Sequence, residues 1–128
     1  MSEIKLIPYL FFVGNCREAM EFYKIVFGGE LSLSPYEGER ADKIMHAHLS
    51  GGEISLMASD STRTEPYETS SISLSLGGTD SEKLTNTFNA LAVGGKVQAE
   101  LTKQFWGDTF GMLTDKFGVD WMVNISAS

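Results

Sequence analysis

The sequence predicts an α+β fold of two βαβββ modules, each a half-barrel sheet carrying a helix on its outer face. Three observations predict it. Short β-prone runs of alternating character are interrupted by only two stretches of helical periodicity. The punctuation then repeats: Asn15 answers Asp80, Gly28 answers Gly94 and Gly52 answers Gly118, each about 65 residues further on. Finally, the chain closes on a β-hairpin, Thr109 to Ile125. A repeat of that length is too long for a solenoid unit. Two similar half-sheets follow, each with a helix on one face and a concave surface on the other.

Leu6 to Val13 (LIPYLFFV) is a β-prone run closed by Gly14-Asn15. Asn15 stands where a helix N-cap is expected, with Glu18 as a capping-box partner. Ala19, Met20, Tyr23, Val26 and Phe27 recur at helical spacing, and Gly28-Gly29 ends that helix. Leu31 to Tyr36, Ile44 to Leu49 and Ile54 to Ala58 read as strands, with turns at Glu37-Gly38-Glu39 and Gly51-Gly52. The polar run Ser59 to Ser70, with Pro66, has no periodicity and reads as a connection. It divides a single domain (1–128) into a first module (1–60), a linker (61–70) and a second module (71–128).

Ile72 to Leu76 alternates strictly, and Thr79 or Asp80 caps a second helix, with Thr79 and Glu82 spaced as a capping box. Leu84, Phe88, Leu91 and Ala92 form its buried face, Gly94-Gly95 ends it, and Val97 to Leu101 is the next strand. In the closing hairpin, Asp115-Lys116-Phe117-Gly118 is the turn, where Gly118 is expected to take positive φ. A one-residue slip there would reverse both strand faces, so Gly118→Val should cost a few kcal/mol. Val119, Trp121, Val123 and Ile125 share one face; Asp120, Met122 and Asn124 share the other.

A chain of 128 residues, 42% hydrophobic and 21% charged, fits one ordered globular domain. The net charge of −7, with no basic run among its 10 Lys and Arg, disfavours a nucleic-acid partner. Cys16 is the single cysteine, which excludes an internal disulfide and fits a reducing compartment, so a cytoplasmic location is expected. Ile4 to Val13 is apolar but short and contains Pro8; it reads as a first strand and not as a signal peptide or a membrane span.

Several stretches carry a family resemblance. Phe22, Tyr23, Phe27 and Gly28 in the first helix, within two βαβββ modules, resemble the vicinal oxygen chelate superfamily. That group holds glyoxalase I, bleomycin and fosfomycin resistance proteins, and extradiol dioxygenases. PYLFFVGNCREAMEFYKIVFGGEL, MHAHLSGG, ISLSLGGTD and QFWGDTFGMLTDKFGVDWMVN resemble its PhnB-like branch, which is often labelled a 3-demethylubiquinone-9 3-methyltransferase domain. The likeness covers nearly the whole chain. The methyltransferase label finds no support in the residues. A common S-adenosylmethionine fold needs a glycine-rich loop between strand and helix, whereas Gly77-Gly78 and Gly94-Gly95 are lone pairs.

The resemblance implies a metal site in which each module offers one ligand early in its first strand and one in its last. Here those positions fall at Pro8 and Leu56 in the first module, and near Ser73 and at Met122 in the second. A shift of one residue gives Tyr9, Ser55, Leu74 and Val123. Neither set supplies the His, Gln or Glu donors that such sites use. The expectation is therefore no metal and no other cofactor.

His46 and His48 are the only histidines. Their i, i+2 spacing puts both on one strand face with Ile44, while Met45, Ala47 and Leu49 turn to the helix. Three readings are open: plain strand residues, pocket-lining residues without metal, or a two-histidine metal site that lacks a nearby carboxylate. The expected inner face joins Leu10, Phe12, Ser73, Ser75, Met122 and the two imidazoles, an apolar wall with few hydrogen-bonding points. No base is placed to activate Ser71, Ser73 or Ser75. Trp106, ahead of Gly107-Asp108, is either a pocket rim or a dimer contact. Phe105, Phe110 and Trp121 read as packing. Asp108 reads as a turn or edge residue, with a catalytic carboxylate as the alternative. Cys16, in the first helical turn beside Arg17, reads as a small half-buried residue; the alternative is a thiol activated by the helix dipole.

Three functions from different classes compete. One is a metal-free protein that binds a small organic ligand in the concave pocket. Another is an atypical glyoxalase- or dioxygenase-type enzyme using His46 or His48. The third is a dimeric scaffold without a ligand. A homodimer is expected in each case, because open sheet edges and Phe11, Phe12, Phe105 and Trp106 need covering. Sedimentation at micromolar concentration should give about twice the chain mass of 14.0 kDa; a stable monomer would refute it.

Overall fold

A computed structural model describes residues 6–52, 54–61 and 72–127. The chain divides into two compact units, 1–68 and 69–128. Each is a four-stranded sheet with one helix packed on it. Ser71 and most of the expected linker lie outside the described residues. Among the described residues, no helix is long and apolar enough to cross a membrane.

The first unit runs β1 (Tyr9–Phe12), α1 (Cys16–Phe27), β2 (Glu30–Pro35), β3 (Ile44–Ser50) and β4 (Leu56–Asp60). The sheet order is β1-β4-β3-β2, with β1 parallel to β4 and the other pairs antiparallel. The helix forms because Cys16, Ala19, Met20 and Tyr23 make one apolar stripe, and all four are fully buried. On the sheet, Phe12, Ile44, Ala47, Leu49, Leu56 and Ala58 are buried as well. Burying each large apolar side chain contributes roughly 1.5–3 kcal/mol.

Two expectations are corrected here. Ser59 and Asp60 belong to β4 and are buried, although their polarity reads as connection. Ile44 does not share a face with the histidines. A register shift pairs Ser34 with His46 but Pro35 with Ile44, leaving one extra residue, Met45, in β3. Such a bulge resets the alternation, so Ile44 joins Ala47 and Leu49 in the core.

The second unit runs β5 (Leu74–Gly78), α2 (Ser81–Ala92), β6 (Lys96–Lys103), β7 (Thr109–Thr114) and β8 (Asp120–Ile125). Its order, β5-β8-β7-β6, repeats the first, again with the outer pair β5 and β8 parallel. Phe88 and Leu91 of α2 are buried, as are Leu113, Trp121, Val123 and Ile125 of the sheet. Asp80 is the helix cap: its carboxylate accepts the Lys83 N–H at 3.1 Å. Asn15, at the matching position of α1, makes no side-chain cap bond.

Both helices end on a glycine pair for the same steric reason. The second glycine runs against the end of a strand: a Cβ on Gly29 would lie 2.5 Å from the Ser50 carbonyl oxygen, and one on Gly95 would lie 2.8 Å from Asp115 Cα. The closing turn places Gly118 at φ +87, with open space around it, and its N–H bonds the Asp115 carbonyl at 3.0 Å. In the first unit, the turn glycine of positive φ is Gly51 and not Gly52, so the repeat slips by one residue there.

These geometries separate two kinds of glycine. Gly118→Val meets only backbone strain and should lose about 1–3 kcal/mol. Gly95→Ala drives a methyl group into fixed backbone and should lose more. Urea unfolding of both variants checks the order; equal midpoints with wild type would contradict the turn geometry.

Candidate functional site

Sheet register decides which side chains stand opposite the helix. In the first unit, Tyr9, Met57, His48 and Ser32 form one row across the four strands. His46 pairs with Ser34 in the next row. The Tyr9 hydroxyl lies 3.1 Å from His46 Nδ1, and the two rings lie 5.8 Å apart at 45°. Phe11 continues the cluster, with its ring 5.0 Å from that of Tyr9. His48 Nε2 lies 3.1 Å from Ser55 Oγ. Both histidines are half-buried, while Tyr9 is 40% and Phe11 54% exposed. An aromatic and imidazole surface of this kind can stack a flat ligand and hydrogen-bond its polar groups.

Leu10 and Phe12 are not part of this surface. They alternate with Tyr9 and Phe11 and align with Ala58 and Asp60 on the helix side. Phe12 is 5% exposed and belongs to the core.

In the second unit the corresponding row is Ser75, Met122, Met112 and Ala99. Ser75 and Met122 therefore stand together, and Ser73 precedes β5 as an exposed residue. Beside them, Thr114 donates to Asp120 at 2.6 Å and accepts from the Gln98 amide at 3.2 Å. Trp106 sits apart from this row, in the turn between β6 and β7. It is 52% exposed and meets Phe105, which is 97% exposed, edge to face at 5.0 Å. Phe105 is thus a surface residue, although an aromatic run reads as packing. Asp108 accepts from Asn124 at 3.0 Å and from the Ala127 N–H at 3.2 Å, which ties the end of the chain to this turn.

Tyr9 and Met57 pair in the first unit, as Ser75 and Met122 do in the second. Leu56, the position spacing suggests, is buried on the helix side. Among the described residues, no group of three or more His, Cys, Asp and Glu side chains comes together.

Two buried carboxylates carry structure that the sequence does not announce. Asp60 Oδ1 accepts the Cys16 N–H at 2.9 Å, and its Oδ2 accepts the Ile44 N–H at 2.8 Å. It supplies the cap that Asn15 lacks. Asp115 accepts the N–H groups of Phe117 and Val119 at 2.8 and 3.0 Å, and the Trp121 indole N–H at 2.8 Å. A capping carboxylate from a distant strand leaves no local signal; Asp115 could be suspected from its place at the head of a turn. Tyr9 is likewise missed by spacing, because its role depends on a partner 37 residues away.

Cys16 is fully buried, and its thiol is pushed up to about 12, first by burial and then by the Asp60 carboxylate, against a smaller opposing effect of Arg17. Helix-dipole activation of this thiol is therefore outweighed.

Fold and surface together define a two-module βαβββ protein with a helix packed on each four-stranded sheet and no conventional cluster of metal donors among the described residues. The chain belongs to the Glyoxalase/Bleomycin resistance protein/Dioxygenase superfamily, whose model matches residues 5–123. It is 31% identical to protein YjdN of Escherichia coli (strain K12), over 94% of each chain. The crystal structure of protein PA1353 from Pseudomonas aeruginosa superposes with a TM-score of 0.84 at 45% identity, covering 97% of this chain and 98% of that one. The PhnB protein of Bacillus cereus, whose name includes 3-demethylubiquinone-9 3-methyltransferase, gives a TM-score of 0.81 at 27% identity, covering 96% and 100%.

The Cys16 environment has a measurable consequence. Above about pH 9 the unfolded chain releases the thiol proton while the folded chain keeps it, so stability should fall as pH rises from about 9 towards about 12. Near neutral pH, a thiol reagent should label the native protein at least about a hundredfold more slowly than the urea-unfolded chain. Labelling at the rate of a free thiol would contradict the burial.

Proposed function

We propose that this superfamily member binds a small organic ligand on the helix-free face of its first sheet and works without a divalent metal triad. The observation that carries the reading is the composition of the two paired rows. Tyr9 with Met57, and Ser75 with Met122, occupy the strands from which metal-using sites draw their donors, and neither pair offers an imidazole or carboxylate. The histidines come from β3, His48 beside Met57 and His46 one row on, and each is engaged with one hydroxyl. Two imidazoles without a third donor bind a metal ion weakly.

His46 and His48 are the polar contacts of this site, with Tyr9, Phe11 and Met57 as its apolar wall. Ser73, Ser75 and Met122 offer hydroxyls and a thioether on the equivalent face of the second sheet. The ligand class is an apolar, flat molecule with one or two polar or anionic groups. Methyl transfer is not supported. Gly77 and Gly78 are paired within β5 to Asn124 and Ile125, and so cannot form a nucleotide-binding loop. The exposed Phe105 and Trp106 support association of two copies, since an aromatic pair in water is costly to leave uncovered.

A thermal-shift screen of small aromatic acids, with and without chelator, tests the reading. Hits should survive chelation and should vanish in the His46→Ala, His48→Ala double variant. Loss of every hit on adding chelator, or indifference to the double variant, would sink the proposal.

A further inference from the structure

We infer that Tyr9 is a positioning residue for His46, and that it sets the first-sheet face to receive a hydrogen-bond acceptor, a carboxylate carried on a flat ring. The inference rests on the ligand-binding reading above and adds the chemistry of recognition. Tyr9 Oη lies 3.1 Å from His46 Nδ1. A phenol is the better donor of the two groups and an imidazole nitrogen the better acceptor, so the phenolic O–H donates to Nδ1. The ring proton of the neutral imidazole is then held on Nε2. No other hydrogen bond engages the His46 ring among the described residues. Nε2–H is therefore left to meet an oxygen that arrives with a ligand.

The neighbours favour an acid over a base. Around His46 this face presents Tyr9, Phe11, Ser32, Ser34, His48 and Met57; its one strand carboxylate among the described residues, Glu30, pairs with Ser50 two rows away from His46. Beside the donor lies an aromatic shelf: the Tyr9 and Phe11 rings are 5.0 Å apart and inclined at 34°, and both are partly exposed. Met57, the register partner of both Tyr9 and His48, adds an adaptable thioether. A flat ring rests on the shelf while its carboxylate accepts from His46. His48 plays a different part, because its Nε2 is already engaged with Ser55.

Nitrogen-15 NMR of the histidine side chains, read where the nitrogen shifts themselves report neutral rings, tests the assignment. Wild type should show His46 as the Nε2–H tautomer. Tyr9→Phe keeps the ring shelf but removes the donor, so His46 should move to a mixture of tautomers while His48 stays unchanged. Benzoate should perturb Tyr9, Phe11 and His46 on titration and bind the Tyr9→Phe variant roughly three- to tenfold more weakly, the worth of one hydrogen bond. An Nδ1–H tautomer in the wild type, or an unchanged tautomer in the variant, would overturn the role of Tyr9 without needing any ligand. Absence of benzoate binding to the wild type would overturn the ligand class. Failure of the whole screen with the Nε2–H tautomer intact would instead defeat the ligand-binding reading and leave Tyr9 as the positioning residue.

Discussion

The Asp60 carboxylate is the constraint on which the first sheet turns. Its two oxygens hold two backbone N–H groups from different elements, Cys16 at the start of α1 and Ile44 at the start of β3. Both donors would otherwise be buried without partners, at a cost of about 1–3 kcal/mol each. By holding Ile44 beside the helix, Asp60 stabilises the bulge at Met45. The bulge lets Ile44, Ala47 and Leu49 all face the core while His46 and His48 face away from it. A buried side chain on one face thus determines what the opposite face presents.

The two units solve the same packing problem with different residues. In the second unit the helix cap is local, from Asp80, so the last residue of β8 can be the apolar Ile125. The buried carboxylate there moves to the turn, where Asp115 satisfies two N–H groups and the Trp121 indole. Only the glycine pairs are used alike, because a strand end passes too close to each helix terminus for a Cβ. The helix-free faces then diverge in chemistry: phenol, imidazole and phenyl groups in the first unit, hydroxyls and thioethers in the second. Divergence on these faces is tolerable because neither core depends on them.

Membership of the superfamily sets the scaffold, not the reaction. On this chain the parallel strand pairs set Tyr9 beside Met57 and Ser75 beside Met122, and the proposed chemistry is argued from those side chains and the two histidines. The Tyr9 hydroxyl lies 3.1 Å from His46 Nδ1 beside the Tyr9 and Phe11 rings, and the proposed metal-free recognition rests on that arrangement.

The order of elements, the buried stripes of both helices, the glycine terminators and the positive φ of Gly118 were all legible in the sequence, because each follows from local periodicity or local steric demand. The family was legible as well, through whole motifs. Tertiary structure decided the rest. Strand parity was read correctly for Met122 and Ser75. It was misread for Ile44 because a bulge is a relation between two strands, and the wrong phase for β1 placed Leu10 and Phe12 on the site face. Asp60 reads as linker by polarity and is core by partnership. Tyr9 and His46 stand 37 residues apart in the chain and 3.1 Å apart in space. Periodicity reports which way a side chain turns relative to its neighbours in sequence; only the pairing of strands sets what it meets there.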